Sequence, residues 1–488
     1  MKRLAGNLLF TASHLRHHLA CRRAWRAPRE HQEHMLQSFL RRNAGSAYGV
    51  EHGYAGIRSV REFQERVPIA TYDDLEPWVE RIRGGEQGVL TCEPVLTFEK
   101  TSGSAGAAKY IPYTATLLRE FRRAVGAWLF DLFTKRRTLL AGAHYWSLSP
   151  MVRPTEDDVA CALPVGFPSD AEYFGPLERR WLRWLMAAGS EVADTSDIEE
   201  CRRRTLDSLM ACRDLRFLSV WNPSFLTLLL KRLPAGAMPR ELWPDLELVS
   251  CWTSAAAARF LPELREHLPG VEIQGKGLMA TEGVISFPLV GHSGATPAIA
   301  SHFLEFVDED GRAHLAHELE VGARYRPLMT TGAGFARYDL GDLVEVVAPG
   351  AIVFVGKAGV VSDLCGEKLT EAFVGSVLES LERQASSGLL LLAPEWGSPP
   401  RYLLFTERHR GERFADEVDR ALRRSPHYDY CRRLGQLERV EVVVVENGEE
   451  LFLRGCIAEG QRAGDVKSDY LRRELGWREH LTERRVIA

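Results

Sequence analysis

Apolar and polar positions follow two different rhythms along this chain. Before about residue 270, short apolar runs are separated by longer stretches of helical period. Residues 145–148, 217–221 and 246–252 read as strands, and 177–186, 223–233 and 254–267 as helices. Apolar strands separated by helices imply a sheet covered on both faces, an α/β domain. Ahead of this region, residues 1 to about 45 read as helical and basic, and 60–66 and 73–83 as further helices. Leu118, Phe121, Val125, Trp128, Leu129 and Leu132 recur at helical spacing, and Thr114 suits the N-cap of their helix. From 271 to 355 the rhythm shortens to successive strands, at 284–290, 302–307, 328–331 and 343–347, with a polar turn at 337–342. Beyond Gly356 a compact α+β pattern follows: helices at 371–383 and 413–423, strands at 389–392, 402–405 and 440–445. The expected organisation is a large N-terminal domain, 1–357, of helix-covered sheets plus a β-rich layer, and a small α+β C-terminal domain, 358–488, with a boundary near 356–363.

Composition narrows the class. A chain of 488 residues with 45% hydrophobic and 26% charged residues has ample material for two or three packed domains. A net charge of −4 gives no basis for bulk nucleic-acid binding. Nine cysteines without a C-x-x-C pair fit reduced thiols in a cytosol and no zinc site. No apolar run approaches the ~20 residues of a membrane helix, and Leu8-Leu9-Phe10 is too short for a signal peptide. The expected protein is cytoplasmic, with no stable membrane association and a monomer by default. His14, His17 and His18 have metal-like spacing, but no acidic or cysteine partner is near in sequence, so they read as surface histidines.

The chemistry centres on Phe98 to Lys109. An apolar run (Val95, Leu96, Phe98) reads as a buried strand emptying into a loop of hydroxyls and glycines. Such a loop can turn its N–H groups inward around an anion. Thr101, Ser102 and Ser104 add donors and Lys109 a positive charge. The helix opening at Thr114 is expected to add its dipole to that site. Gly103, Gly106 and Lys109 lack Walker A spacing, which excludes that ATPase loop. Glu282, where strands end, reads either as a Mg²⁺ ligand facing phosphates or as an ordinary loop glutamate. Asp342, with Tyr338 beside it, reads either as an acceptor for ribose hydroxyls or as a turn aspartate. Three glycines within 356–366 suit a hinge, and Lys368 there can meet a phosphate or a carboxylate.

Taken in order, these segments resemble the auxin-responsive Gretchen Hagen family of acyl acid amido synthetases, in its bacterial branch, within the adenylate-forming superfamily. The likeness runs from Arg41–Gly49 through Thr101–Lys109 with Ile111–Thr114, Thr281-Glu282-Gly283 and Tyr338–Asp342. It ends at Asp429-Tyr430, Leu434-Gly435-Gln436 and the segment around Lys467. The resemblance implies an adenylate-forming fold with a mobile C-terminal lid. It implies that Thr101, Ser102, Gly103, Ser104, Gly106 and Lys109 embrace the ATP phosphates and that Glu282 faces Mg²⁺. Asp342 would hold the ribose with Tyr338 beside it, Ala256 and Thr281 would border the adenine, and Lys467 would swing over the adenylate. Catalytic roles thus fall to Lys109, Glu282 and Lys467, with Lys368 at the hinge. Ala105 removes one hydroxyl from the family's loop, and Asp339 puts a negative charge where arginine is usual. The implied activity is ATP-dependent adenylation of a carboxylic acid and transfer of the acyl group to an amine, an amino acid by the resemblance. Coenzyme A or another thiol as acceptor, and a catalytically impaired nucleotide-binding homologue, remain open alternatives. Trp146, Phe167, Phe174 and Trp221 read as acyl-pocket lining or plain core.

Overall fold

The computed structural model describes residues 2–102, 108–147, 156–167, 173–189, 192, 198–357, 361–381, 389–409, 413–458 and 470–482. Gly103, Ser104, Gly106 and Lys467 lie outside these residues, as do the side chains of Thr101, Ser102 and Ala256. The chain divides into two compact units. One comprises Met1–Thr101 and Tyr110–Gly356, the other Ser102–Lys109 and Lys357–Ala488.

Strands β1 (Val95–Ser102) and β2 (Ala108–Thr114), which belong to the first unit except for Ser102, Ala108 and Lys109, form a two-stranded sheet of their own. Phe98 and Thr97 are buried, but Leu96, on the same face as Phe98, is exposed, so β1 is covered toward its middle and not at its start. The helix expected after the glycine loop does follow, as Ala115–Lys135, and the Thr114 hydroxyl accepts from Leu117 N as its cap. The rest of strand β2, however, intervenes between Lys109, near its start, and the helix. The free N–H groups of the helix are met by Thr114 and by Glu93 Oε1, which accepts from Thr116 N at 3.2 Å. The dipole expected at the anion loop is therefore spent on local caps several extended residues away.

Four parallel strands, β3 (Ala143–Trp146), β4 (Leu215–Ser219), β5 (Leu248–Cys251) and β6 (Glu272–Gly275), pair in sequence order. Tyr145, Leu218 and Val249 on these strands are buried in one core with Leu209, Leu226 and Leu264 from the connecting helices. Burial on both faces explains why the strands read as apolar runs rather than as alternating ones. Strand β6 belongs here, so the β-rich layer begins later than 271. The expected helix at 254–267 is a 3₁₀ turn, Ala255–Phe260, followed by an α-helix, Leu261–His267. Pro262 at the first turn of that helix lacks an N–H and so starts it afresh.

The remaining strands of this unit are β7 (Met279–Ala280), β8 (Gly283–Val284), β9 (Ser286–Pro288), β10 (Ala295–Pro297), β11 (Phe303–Val307), β12 (Ala313–His314), β13 (Arg324–Thr330), β14 (Tyr338–Asp339), β15 (Asp342–Ala348) and β16 (Ala351–Lys357). An eight-stranded sheet runs β12-β11-β13-β15-β16-β10-β9, with β14 on β13. Burial alternates along β15, which puts Asp342, Val344 and Val346 on its inner face. The segment 337–342 is thus a buried strand end rather than a solvent turn.

The first unit also overturns the surface reading of the histidines. His14 is only 2% exposed, and its Nδ1 lies 4.0 Å from Glu178 Oε1. The acidic partner stands far off in sequence, and only the packing of the Lys2–Ser13 helix on the Pro176–Leu185 helix brings it near. The second unit holds a three-stranded sheet of β19 (Leu390–Glu395), β20 (Arg401–Thr406) and β21 (Glu441–Val444), after the short pair β17 (Val361–Ser362) and β18 (Leu369–Thr370). Its core gathers Leu391, Leu403, Phe405, Phe452 and Trp477.

Candidate active site

Three of the sequence-selected segments meet inside the first unit. The turn between β7 and β8 carries Thr281 and Glu282, and β14 and β15 carry Tyr338 and Asp342. Tyr338 Oη donates to Glu282 Oε1 at 3.1 Å, and both side chains are buried. Burial raises the Tyr338 phenol well above its ordinary range, and the charges of Glu282 and Asp342 push the same way. Tyr113 Oη donates to the Thr281 carbonyl at 2.5 Å, so a tyrosine from β2 fixes the turn that presents Glu282. Asp342 is 4% exposed and faces inward.

Arg337 sets the direction of this cluster. Its backbone is left-handed, φ +49°, a strained choice for a residue with a side chain. The strain persists because the residue is tied at several points. Arg337 N donates to Thr330 Oγ1 at 3.0 Å, Nε to Glu305 Oε2 at 3.1 Å, and Nη1 to the carbonyls of Gln64 and Val67 at 2.9 Å. The lock aims Tyr338 at Glu282. Sequence reasoning placed Arg337 at the head of the Tyr338–Asp342 motif but passed over its partner Glu305, since an arginine pairing across distant strands leaves no local pattern.

Asp339 does not present the bare negative charge expected of it. Arg326 Nη1 donates to its Oδ2 at 2.6 Å, and Gly341 N donates to its Oδ1 at 2.7 Å. The basic group has moved to a neighbouring strand. Gly341, φ +68°, then turns the chain from Asp339 to Asp342, a conformation a side chain resists.

The proposed pocket aromatics separate. Trp146 and Phe174 pack together with Phe10, ring centroids 5.2 Å apart for the first pair, while Phe167 packs edge-on to Tyr113 at 5.2 Å. Trp221 lies elsewhere, 6.1 Å from Trp252 and 45% exposed. Ala256 sits in the 3₁₀ turn after β5.

Lys109 and Lys368 fall in the second unit. Lys368 also has a left-handed backbone, φ +47°. Beside it the buried Glu367 carboxylate accepts from Leu364 N at 2.6 Å, Cys365 N at 2.8 Å and Tyr402 Oη at 2.5 Å. Burial nevertheless pushes this carboxyl up to about 7, with Asp363 adding to the rise. Glu367 therefore pins the loop that carries Lys368.

The architecture, a large unit of parallel and antiparallel sheets and a small α+β unit, is that of the adenylate-forming ligases. It resembles the solved GH3.15 acyl acid amido synthetase with a TM-score of 0.58 at 17% identity, covering 92% of each chain. It also resembles 2-hydroxyisobutyryl-CoA ligase, TM-score 0.57 at 13% identity, covering 92% of this chain and 90% of that one. The GH3 family N-terminal domain matches residues 20–238, the central domain 295–356 and the C-terminal domain 384–474, and the chain belongs to the GH3 family. Among its relatives is the probable indole-3-acetic acid-amido synthetase GH3.12 of Oryza sativa subsp. japonica, 24% identical over 89% of this chain and 90% of the relative. Another is indole-3-acetic acid-amido synthetase GH3.8 of Oryza sativa subsp. indica, 25% identical over 76% and 72% respectively. The family is one of ligases that adenylate an acid and conjugate it to amino acids. Among the described residues no helix is long and apolar enough to cross a membrane.

Proposed function

We propose that this chain converts a carboxylic acid and ATP to an acyl-adenylate and passes the acyl group to an amino acid. What carries the reading is the meeting of Glu282, Tyr338 and Asp342 in one buried cluster, with the Thr281 carbonyl held beside it by Tyr113, within a chain of this family. In the first step a carboxylate oxygen bonds to the α-phosphorus and the bond to pyrophosphate breaks. In the second the amine nitrogen bonds to the acyl carbon, AMP leaves, and the amine gives up a proton.

Asp342 would accept the ribose hydroxyls, Tyr338 would line the same wall, and Thr281 and Ala256 would border the adenine. Glu282 fits a hard cation: Tyr338 occupies Oε1, and Oε2 takes no hydrogen bond among the described residues. Mg²⁺ bound there would offset charge on the phosphates. Lys109 and the loop from Thr101 through Ser102, Gly103, Ser104 and Gly106 would take the phosphates. Lys368 and Lys467, on a mobile C-terminal part, would approach the adenylate. The nine free cysteines accord with a cytoplasmic setting, and we take the active form to be a monomer.

The test is acid-dependent exchange of pyrophosphate into ATP across a panel of carboxylic acids, followed by product analysis with amino acids and with coenzyme A. Glu282→Gln should lower exchange by about 100-fold, the scale of losing one electrostatic contact to developing charge, while the melting temperature holds. Exchange that needs no acid, or that survives Glu282→Gln, would overturn the reading.

A further inference from the structure

The parallel sheet ends in a cation that has no counter-ion among the described residues. Lys276 follows β6 directly and is 5% exposed. Its Nζ donates to Ser219 Oγ at 2.6 Å and lies 5.3 Å from the Trp128 ring centroid and 5.0 Å from that of Trp221. Among the described residues no carboxylate is paired with it. Cys251, at the end of β5, is the titratable neighbour, and burial pushes that thiol up to about 12. Burial likewise pushes the Lys276 ammonium down to about 7.

The position is built rather than incidental. A side chain at Gly275 would come within 2.6 Å of Thr253 Oγ1, and one at Gly277, φ +77°, within 2.5 Å of the Ser286 carbonyl. The two glycines let the backbone close in on both sides and aim the lysine inward. Trp128 is held by its own bond, Nε1 to Gln274 Oε1 at 3.1 Å. Trp221, by contrast, is exposed, so the amine lies one indole away from solvent.

The energetics leave the cation short. Burying an ammonium is costly, and neither an indole face nor a neutral hydroxyl repays that cost in full. A group kept for packing alone would be better as a methionine. Open α/β sheets bind ligands outside the carboxyl ends of their strands, which is where Lys276, Ser219 and Trp221 stand. The segment from Lys276 to Glu282 spans at most about 20 Å of chain, and the bonds of Leu278 N to Ser286 Oγ at 3.1 Å and of Ile285 N to Leu278 O at 2.9 Å fold it back on itself.

We propose that Lys276 anchors a second anionic group of the acid substrate, so that the preferred acid is a dicarboxylate whose body lies against Trp221. This rests on the adenylation reading above. The reacting carboxylate is the wrong partner for the lysine. Its charge disappears into the mixed anhydride, which would leave the ammonium buried and unpaired in the intermediate, and pairing beforehand would blunt the nucleophile. A second anion keeps the cation matched throughout.

The experiment uses succinate, glutarate, adipate and isophthalate, each against its monomethyl ester, with wild type and Lys276→Met. Acid-dependent exchange should favour at least one diacid over its ester by about 10-fold or more in kcat/KM, mostly through KM. Lys276→Met should erase that preference while exchange with the ester and the KM for ATP persist. Indole fluorescence gives a readout without catalysis: the favoured diacid should perturb Trp221 at lower concentration than its ester in wild type and not in the variant. Exchange with esters as good as with diacids overturns the anchor and leaves adenylation standing. Lysine-dependent diacid binding without any exchange does the reverse. Wild type that binds none of the four diacids more tightly than its ester overturns the anchor.

Discussion

Two buried cations in the first unit have opposite surroundings. Arg337 is 5% exposed and meets Glu305, two backbone carbonyls and, through its own N–H, Thr330. Lys276 is equally buried at 5% and meets one hydroxyl and two indole faces. The first set is closed, and its product is a fixed backbone that aims Tyr338. The second is open, and an open set around a charge is what a ligand completes. Burial alone therefore does not separate scaffold from site; the count of matching partners does.

The contrast can be broken by experiment. Arg337→Met should have the largest effect, a loss of about 3–5 kcal/mol in urea unfolding, because it leaves Glu305 buried without its cation. Burial already raises the Glu305 carboxyl, so that carboxylate has little to spare. A loss under about 1 kcal/mol would mean that the pair is not what holds this corner.

An acid-side titration of stability should come next. Burial pushes His14 and His144 down to about 4 from an ordinary 6.5. Between those values the unfolded chain takes up protons that the folded chain refuses, so stability falls as pH drops from 6.5 toward 4. The slope should amount to about 2–3 kcal/mol for each histidine. His144→Phe, which keeps a ring against Phe133 (centroids now 4.9 Å apart), should flatten it. An unchanged slope would show that carboxylates carry the whole acid response.

Lys276→Met should move stability the other way, raising it by about 1–4 kcal/mol near neutral pH. Since the folded value is about 7 against an ordinary 10.5, the unfolded chain binds the extra proton between them, and wild-type stability rises with pH across that window. The gap between variant and wild type should accordingly close by about pH 10.5, while Cys251, near 12, stays protonated. A variant less stable than wild type at pH 7 would place Lys276 with Arg337 as scaffold.

How far the sequence could be read follows from the range of the interactions. Strand and helix positions were legible where one element decides its own pattern, as in the Thr114 cap and the apolar runs of β4 and β5. Thr281-Glu282-Gly283 and Tyr338–Asp342 were legible because a short motif travels with its chemistry. Properties that depend on a partner far along the chain were hidden. Arg326 neutralising Asp339 and Glu305 holding Arg337 are pairings across strands, and Glu178 lying beside His14 a contact between helices, that no local spacing encodes. Lys276 was hidden for the converse reason. In sequence it is one lysine among 62 basic residues. Its significance is that no carboxylate among the described residues answers it, and who the neighbours are is known only once three dimensions are given. The sequence by itself determined the elements and the motifs, because those are set by contacts within a few residues. Tertiary structure alone decided which charges are matched, because burial and pairing are properties of the packed whole.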